Sequence, residues 1–344
     1  MGFIRTCAPA TWVLVLGSCA PADRPPEPLP LDEMVRLEGS LTLEETPEVL
    51  NVHMRVTIDP RGGFLIADAG EAQFREYDTD GALRGYFGAR GDGPGEFRNP
   101  RAMVRLPAFG LLAFDRDRRA ALFDPENGEL VRSYATDFGP LEAARSLGDS
   151  LVVVASPAMG DRLGPQIHLW DPADGQTVAG FFEPTVEEEM RPFVSMMALT
   201  VIDVRADTVA AVFSASDTIY LFDEDGRALE RFAFASAAFR PVRQPREDLA
   251  ADPLAPIRWA GSFDVVSGLH WLPSGEFLIQ YQTMDDEGGW LYRTLHVARD
   301  GSWLGEAVDT PRLFTVEPDG PTLYFENPQV GVPNEWVYGR LRSR

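Results

Sequence analysis

A tight acidic turn recurs five times along the chain, and its spacing restricts the possible folds more than any other feature. The copies are Tyr77-Asp78-Thr79-Asp80-Gly81, Phe123-Asp124-Pro125-Glu126-Asn127-Gly128, Trp170-Asp171-Pro172-Ala173-Asp174-Gly175, Phe222-Asp223-Glu224-Asp225-Gly226 and Val297-Ala298-Arg299-Asp300-Gly301. The first three glycines stand 47 residues apart, and the next gap is 51. Such a period marks a repeat architecture, in which each unit buries its apolar face against its neighbour. The residue types fit a hairpin turn. Aspartate accepts nearby backbone N–H bonds, and glycine takes a positive φ without a steric penalty.

A second hairpin, rich in Val, Ile, Leu and Phe, precedes each of these turns. The first runs from Val56 to Ala67 and the second from Met103 to Ala113. The others turn at Gly148-Asp149, Ala206-Asp207, Pro273-Ser274-Gly275 and Pro318-Asp319-Gly320. There are thus six inner hairpins but five outer ones. The alternating segment Met34 to Leu43 is the expected source of the missing outer strand, pairing with the last strand, Trp336 to Leu341, to close the ring. The expected fold is all-β: a six-bladed β-propeller of four-stranded antiparallel blades over residues 33–344, the N-terminal strand closing the last blade. Ring closure leaves only short protected edges. Glycine and proline punctuate the chain too often for long helices.

Composition narrows the partners. A net charge of −22 argues against nucleic acid, whose phosphates need clustered cations. It also disfavours direct adhesion to anionic lipid. All 31 basic residues are arginine, which removes lysine from any catalytic scheme. Cys7 and Cys19 are the only cysteines, so the body has neither a disulfide nor a thiolate metal site.

The N-terminus reads as an address. Arg5 precedes an apolar stretch, Ala8 to Leu16, too short to span a bilayer but long enough for a signal-peptide core. It ends in Leu16-Gly17-Ser18-Cys19, which resembles the bacterial lipobox. That resemblance implies a signal peptide over residues 1–18 and a lipidated Cys19. The other reading is a plain secretory signal with an incidental cysteine. Residues 19–32 hold a proline-rich tether, a semi-extended spacer reaching roughly 3 Å per residue.

The joint Gly88 to Pro100 carries spaced glycines, a Glu96-Phe97 pair and a proline. It resembles the connector of NHL-repeat propellers. Ile66 to Asp78 is similar to the second-to-third strand passage of an NHL blade. Together with the lipobox, these segments make the chain look like the NHL-type six-bladed propeller lipoproteins of bacterial envelopes, a group without an assigned activity. The resemblance implies a lipid-anchored address on the periplasmic face or the cell surface. It implies little about function.

No stretch spells out a catalytic set. The glycine-rich joint leads into a strand, so no helix N-terminus is present to receive a phosphate. The Asp-x-x-Gly turns are too short for a calcium loop. Gly-x-Ser-x-Gly is absent. Of His53, His168, His270 and His296, the first and third lie near inner strands and are the better candidates for a metal. By resemblance to lactonase-type propellers, Glu142, Asp203 and Asp264 lie at plausible inner positions, though the surrounding motifs do not match.

In a propeller, the connectors between blades and the loops between second and third strands share one face. Here that face carries the longest irregular segments, where function concentrates. Its candidate ligand contacts are Asp68, Asp115, Arg116, Arg118, Asp161, Arg162, Asp285, Asp286 and Trp290. The first expectation is a monomeric, non-catalytic module with no cofactor. It would bind an envelope protein, peptide or glycan and touch the membrane only through its lipid anchor. The alternative is a lactonase-like hydrolase or a lyase with one divalent metal ion in the axial channel.

Overall fold

The computed structural model describes residues 25–44, 55–157, 164–184, 199–245, 249, 252, 254–285, 289–318, 320, 322–329 and 333–342. Six four-stranded antiparallel sheets follow one another along the chain. Their innermost strands are Arg55–Ile58, Pro100–Leu106, Ala143–Leu147, Thr200–Arg205, Val265–Trp271 and Leu313–Val316, in blades 1 to 6. In blades 1 to 5 the remaining strands follow in sequence order outwards. Blade 6 takes its fourth strand, Val35–Thr42, from the other end of the chain. That strand pairs with Glu335–Leu341 from Val35 opposite Leu341 to Thr42 opposite Glu335. The sequence-based fold therefore holds, including the closing strand.

Each strand's composition matches its depth. The second strands Phe64–Asp68 and Gly110–Asp115 are buried at every position, and they are near-continuous apolar runs. The outer strands Leu130–Ala135 and Ala228–Ala233 are mostly exposed and mix charged with apolar residues. Four of the five turns begin with an aspartate that caps the turn's own N–H groups. Asp78 Oδ1 accepts from the Asp80 and Ala82 N–H groups, both at 2.9 Å. Asp223 does the same in its own turn, and Asp124 and Asp171 each accept the N–H two residues on. In the last turn Ala298 stands at that place, and Asp300 accepts the Ser302 N–H instead. A register shift precedes each turn, at Tyr77, Phe123, Trp170, Phe222 and Val297. All five residues are buried. The repeat thus encodes a bulge that aims a large side chain inward and an Asp-Gly turn that reverses the chain.

Aromatic contacts rivet the blades together. Phe87 meets Phe123 between blades 1 and 2, at 5.8 Å between ring centroids. Phe114 meets Trp170 at 5.6 Å, Phe181 meets Phe222 at 4.9 Å, and Phe232 meets Phe277 at 5.9 Å. At the closing seam Trp336 of blade 6 packs edge-on against Phe64 of blade 1 at 5.0 Å. Such pairs add about 0.5–1.5 kcal/mol each beyond area burial.

Two segments differ from the sequence reading. The connector between blades 4 and 5 contains a short helix, Ala255–Ala260, where only irregular chain was expected. Trp259 anchors it, with Nε1 donating to the Arg243 carbonyl at 2.9 Å. The far end of the proline-rich stretch is also not free. Leu29 N–H donates to the Glu306 carbonyl of blade 5, and the Leu29 carbonyl accepts from Val308. A single turn, Leu31–Met34, then leads into the closing strand. Prolines that cannot join a ladder from both sides still dock here, because Leu29 supplies the N–H.

Candidate functional site

The six innermost strands surround an axial channel with a cavity at each end. One of 440 Å³ opens among the turns that link first and second strands, between Pro60, Ala206 and Pro318. The other, of 530 Å³, opens on the face that carries the connectors. Thr57, Arg145 and His270 line both and form the waist between them. Both volumes fall in the range of small-molecule sites.

The connector-face cavity is cationic in a strongly acidic protein. Arg55, Arg101, Arg145 and Arg312 line it, against the single carboxylate of Glu142. Arg145 is set against Asp203, its Nε 3.4 Å from Oδ1. Glu142 lies 3.9 Å from Arg101 and 3.5 Å from Arg116. The Nε atoms of Arg55 and Arg101 are buried with no hydrogen-bond partner. Burial, and then the charge of Arg312, pull the Arg55 guanidinium below its ordinary value. Burial does the same to Arg101, with Arg55 and Arg116 adding to it and Glu142 opposing. A guanidinium stays protonated under such shifts, so the mouth keeps its charge. Asn99, Gln282 and Tyr292 add two amides and a phenol to the wall.

His270 sits at the waist, 9% exposed, with Nε2 buried and unpartnered. Burial, and then Arg145, lower its pKa to about 3, so it is neutral at physiological pH. Asp203 accepts the Trp271 N–H at 2.7 Å. Burial pushes its carboxyl upward against the pull of Arg145.

The residues picked from sequence are dispersed. Asp68 is fully buried in an ion pair with Arg75 and accepts the Gly70 N–H. Asp115 is buried too, accepting the N–H groups of Arg98, Asn99 and Asp117. Both carboxylates are thus committed to shaping the loops of the connector face. Arg118 holds a turn with φ of 63°, its carbonyl accepting the Thr136 N–H. Arg116 lies beside the cavity through Glu142. Asp285 caps its own loop by accepting the Gly289 N–H, and Trp290 beside it is 45% exposed. Asp264 is buried and takes three bonds from Arg240, at its N–H, Nε and Nη2. Glu142 is at the upper cavity and Asp203 at the lower. Cys19, His53, Asp161, Arg162 and Asp286 lie outside the described residues. Among the described residues, no three His, Cys, Asp or Glu side chains come together to hold a metal.

The glycine-rich joint is structural. Glu96 Oε2 accepts the Gly93 N–H at 2.7 Å, and Phe97 is buried against Phe74 at 4.9 Å. Sequence reasoning missed the arginines. A signal was present: Arg55, Arg101 and Arg145 are 46 and 44 residues apart, close to the glycine period. They recur near the start of successive innermost strands.

No family model matches the chain, and no curated protein matches its sequence. Solved structures do match. A member of the DUF4221 family from Bacteroides vulgatus superposes with a TM-score of 0.64 at 12% identity, over 90% of this chain and 99% of that one. A candidate exported protein from Bacteroides fragilis gives 0.63 at 10% identity, over 92% and 97%. Hydrazine synthase from Kuenenia stuttgartiensis gives 0.50 at 12%, over 82% and 74%. The shared feature is the propeller. At such identities the likeness establishes the fold alone, and one fold serves unrelated functions.

Proposed function

We propose that the protein is a lipid-anchored, non-catalytic binding module of the bacterial cell envelope. It presents its connector face to a protein, peptide or glycan. The observation that carries this reading is the polar 530 Å³ cavity on the face built by connectors and second-to-third strand loops. Rigid sheets hold these loops, and Trp290 stands exposed beside them. Large aromatics are common anchors in recognition surfaces. Among the described residues lining the cavity, Ser267 donates its hydroxyl to the Gln280 carbonyl rather than to a base. The lactonase-like alternative needs carboxylates around one ion, whereas Glu142, Asp203 and Asp264 sit in separate environments.

The address rests on Leu16-Gly17-Ser18-Cys19 and on NHL-like motifs at 66–78 and 88–100. A structural neighbour described as exported accords with it. No helix among the described residues is long and apolar enough to cross a membrane. Acylation at Cys19, with more than one chain, would anchor the protein stably.

Three measurements test the reading. A photo-cross-linking amino acid placed at Trp290 in the full-length protein in cells should capture a discrete partner. The same probe at Asp207, exposed on the opposite face, should not. Cross-links confined to Asp207 would reverse the assignment of the face. Cys19→Ser should move the protein from the membrane to the soluble fraction. A tightly bound stoichiometric metal in the purified protein would overturn the non-catalytic reading.

A further inference from the structure

We infer that the connector-face mouth of the axial channel binds an acidic saccharide unit, its carboxylate or phosphate seated on Arg55, Arg101 and Arg312. This rests on the binding-module reading above and names the chemistry that the module recognises.

The argument begins with charge. Three arginines from blades 1, 2 and 6 face one cavity with a single lining carboxylate, once Arg145 is assigned to Asp203. Glu142 is shared by Arg101 and Arg116 at 3.9 and 3.5 Å, longer than a hydrogen bond. The outer surface holds acids in excess, and the chain carries 53 of them against 31 arginines. Placing like charges together in a buried mouth is costly unless an anion joins them. Other buried arginines of this protein sit against close carboxylates. Arg105 takes both Asp59 and Glu76, and Arg75 takes Asp68. Arg55 and Arg101 have no carboxylate within hydrogen-bond distance among the described residues, and each has a buried Nε–H without an acceptor.

The guanidinium fork matches a carboxylate or a phosphate in two parallel bonds. The neighbouring wall then identifies the rest of the ligand. Asn99, Gln282 and Tyr292 offer amide and phenol groups that both donate and accept, as sugar hydroxyls demand. Remote surface acids do not cancel the attraction, because charges beyond about 10 Å are screened at 0.1 M salt.

The test is calorimetric titration of the full-length, detergent-solubilised protein with sodium glucuronate, glucose 6-phosphate, glucose and inorganic phosphate. Glucuronate or glucose 6-phosphate should bind, more weakly as salt rises, and glucose should not. Arg55→Gln and Arg101→Gln should each weaken binding by roughly tenfold or more. Arg231→Gln, on the exposed outer strand of blade 4, should leave it unchanged. Unliganded Arg55→Gln should melt at a higher temperature than wild type, since it removes one of the crowded charges. A lower melting temperature would show that Arg55 serves the fold instead. Equal binding of glucose, or phosphate binding as tightly as glucose 6-phosphate, would overturn the saccharide assignment. So would the absence of binding by both acidic sugars. Trp290 cross-links that persist alongside such a failure would sink this site alone. Loss of those cross-links in the wild type would instead sink the module.

Discussion

The buried imidazole at the waist gives a quantitative prediction. His270 is held neutral by burial and by Arg145, with a pKa near 3 against 6.5 in an exposed chain. In the unfolded state the ring protonates as pH falls through 6.5, whereas the folded state does not follow until about 3. The unfolded state therefore binds more protons in that window, and stability is lost as pH falls through it. Above pH 6.5 both states are neutral and the effect vanishes. One pH unit of this imbalance is worth 1.36 kcal/mol, so between pH 7.5 and pH 5 His270 alone costs about 2 kcal/mol. Carboxylates and His168 titrate as well, so the single curve is not diagnostic. The comparison with His270→Gln is, because every other group cancels. Urea unfolding of both proteins at pH 7.5, 6.5, 5.5 and 5 reads the difference. The wild type should lose about 2 kcal/mol more than the variant, a midpoint difference of roughly 1 M at a slope of about 2 kcal/mol/M. Parallel pH dependence in the two proteins would refute the reasoning. It would mean that His270 is hydrated in the native channel and titrates as in water.

Three further outcomes follow from the packing. Trp336→Ala should cost about 3–5 kcal/mol in urea unfolding, because the side chain is fully buried at the seam between Phe64 and Phe314. Asp68→Asn should cost about 3–5 kcal/mol by the same measurement, since it removes the carboxylate charge paired with buried Arg75. Gly63→Ala should lower the melting temperature although it adds only a methyl group. Gly63 has φ of +96°, and a Cβ there would stand 2.1 Å from the Tyr77 carbonyl oxygen.

The fold was legible because its signals are local. An aspartate that accepts the N–H two residues on, followed by a glycine at positive φ, marks a turn from neighbours in sequence alone. Five repeats of that turn imply hairpins at a regular spacing. The closing strand was legible for a different reason. An alternating segment at one end and an odd number of outer hairpins leave it no other partner. The individual carboxylates were less readable. Asp68, Asp115 and Asp264 stand on the expected face or near the axis, yet the fold engages their oxygens with Arg75, backbone N–H groups and Arg240. An acid that caps a loop and an acid that contacts a ligand look alike in one dimension.

By itself, the order of residues determined the blades and their number, since hairpins and turns are decided by neighbours within a dozen positions; the strand that locks the ring followed from the count of outer hairpins. Only the tertiary structure decided which charges meet. Arg55, Arg101 and Arg312 come from blades far apart in the chain, and they converge because the first strand of every blade faces the same axis. How closely a guanidinium there approaches a carboxylate, 3.4 Å for Arg145 and Asp203 against 3.9 Å for Arg101 and Glu142, depends on distances set by ring closure.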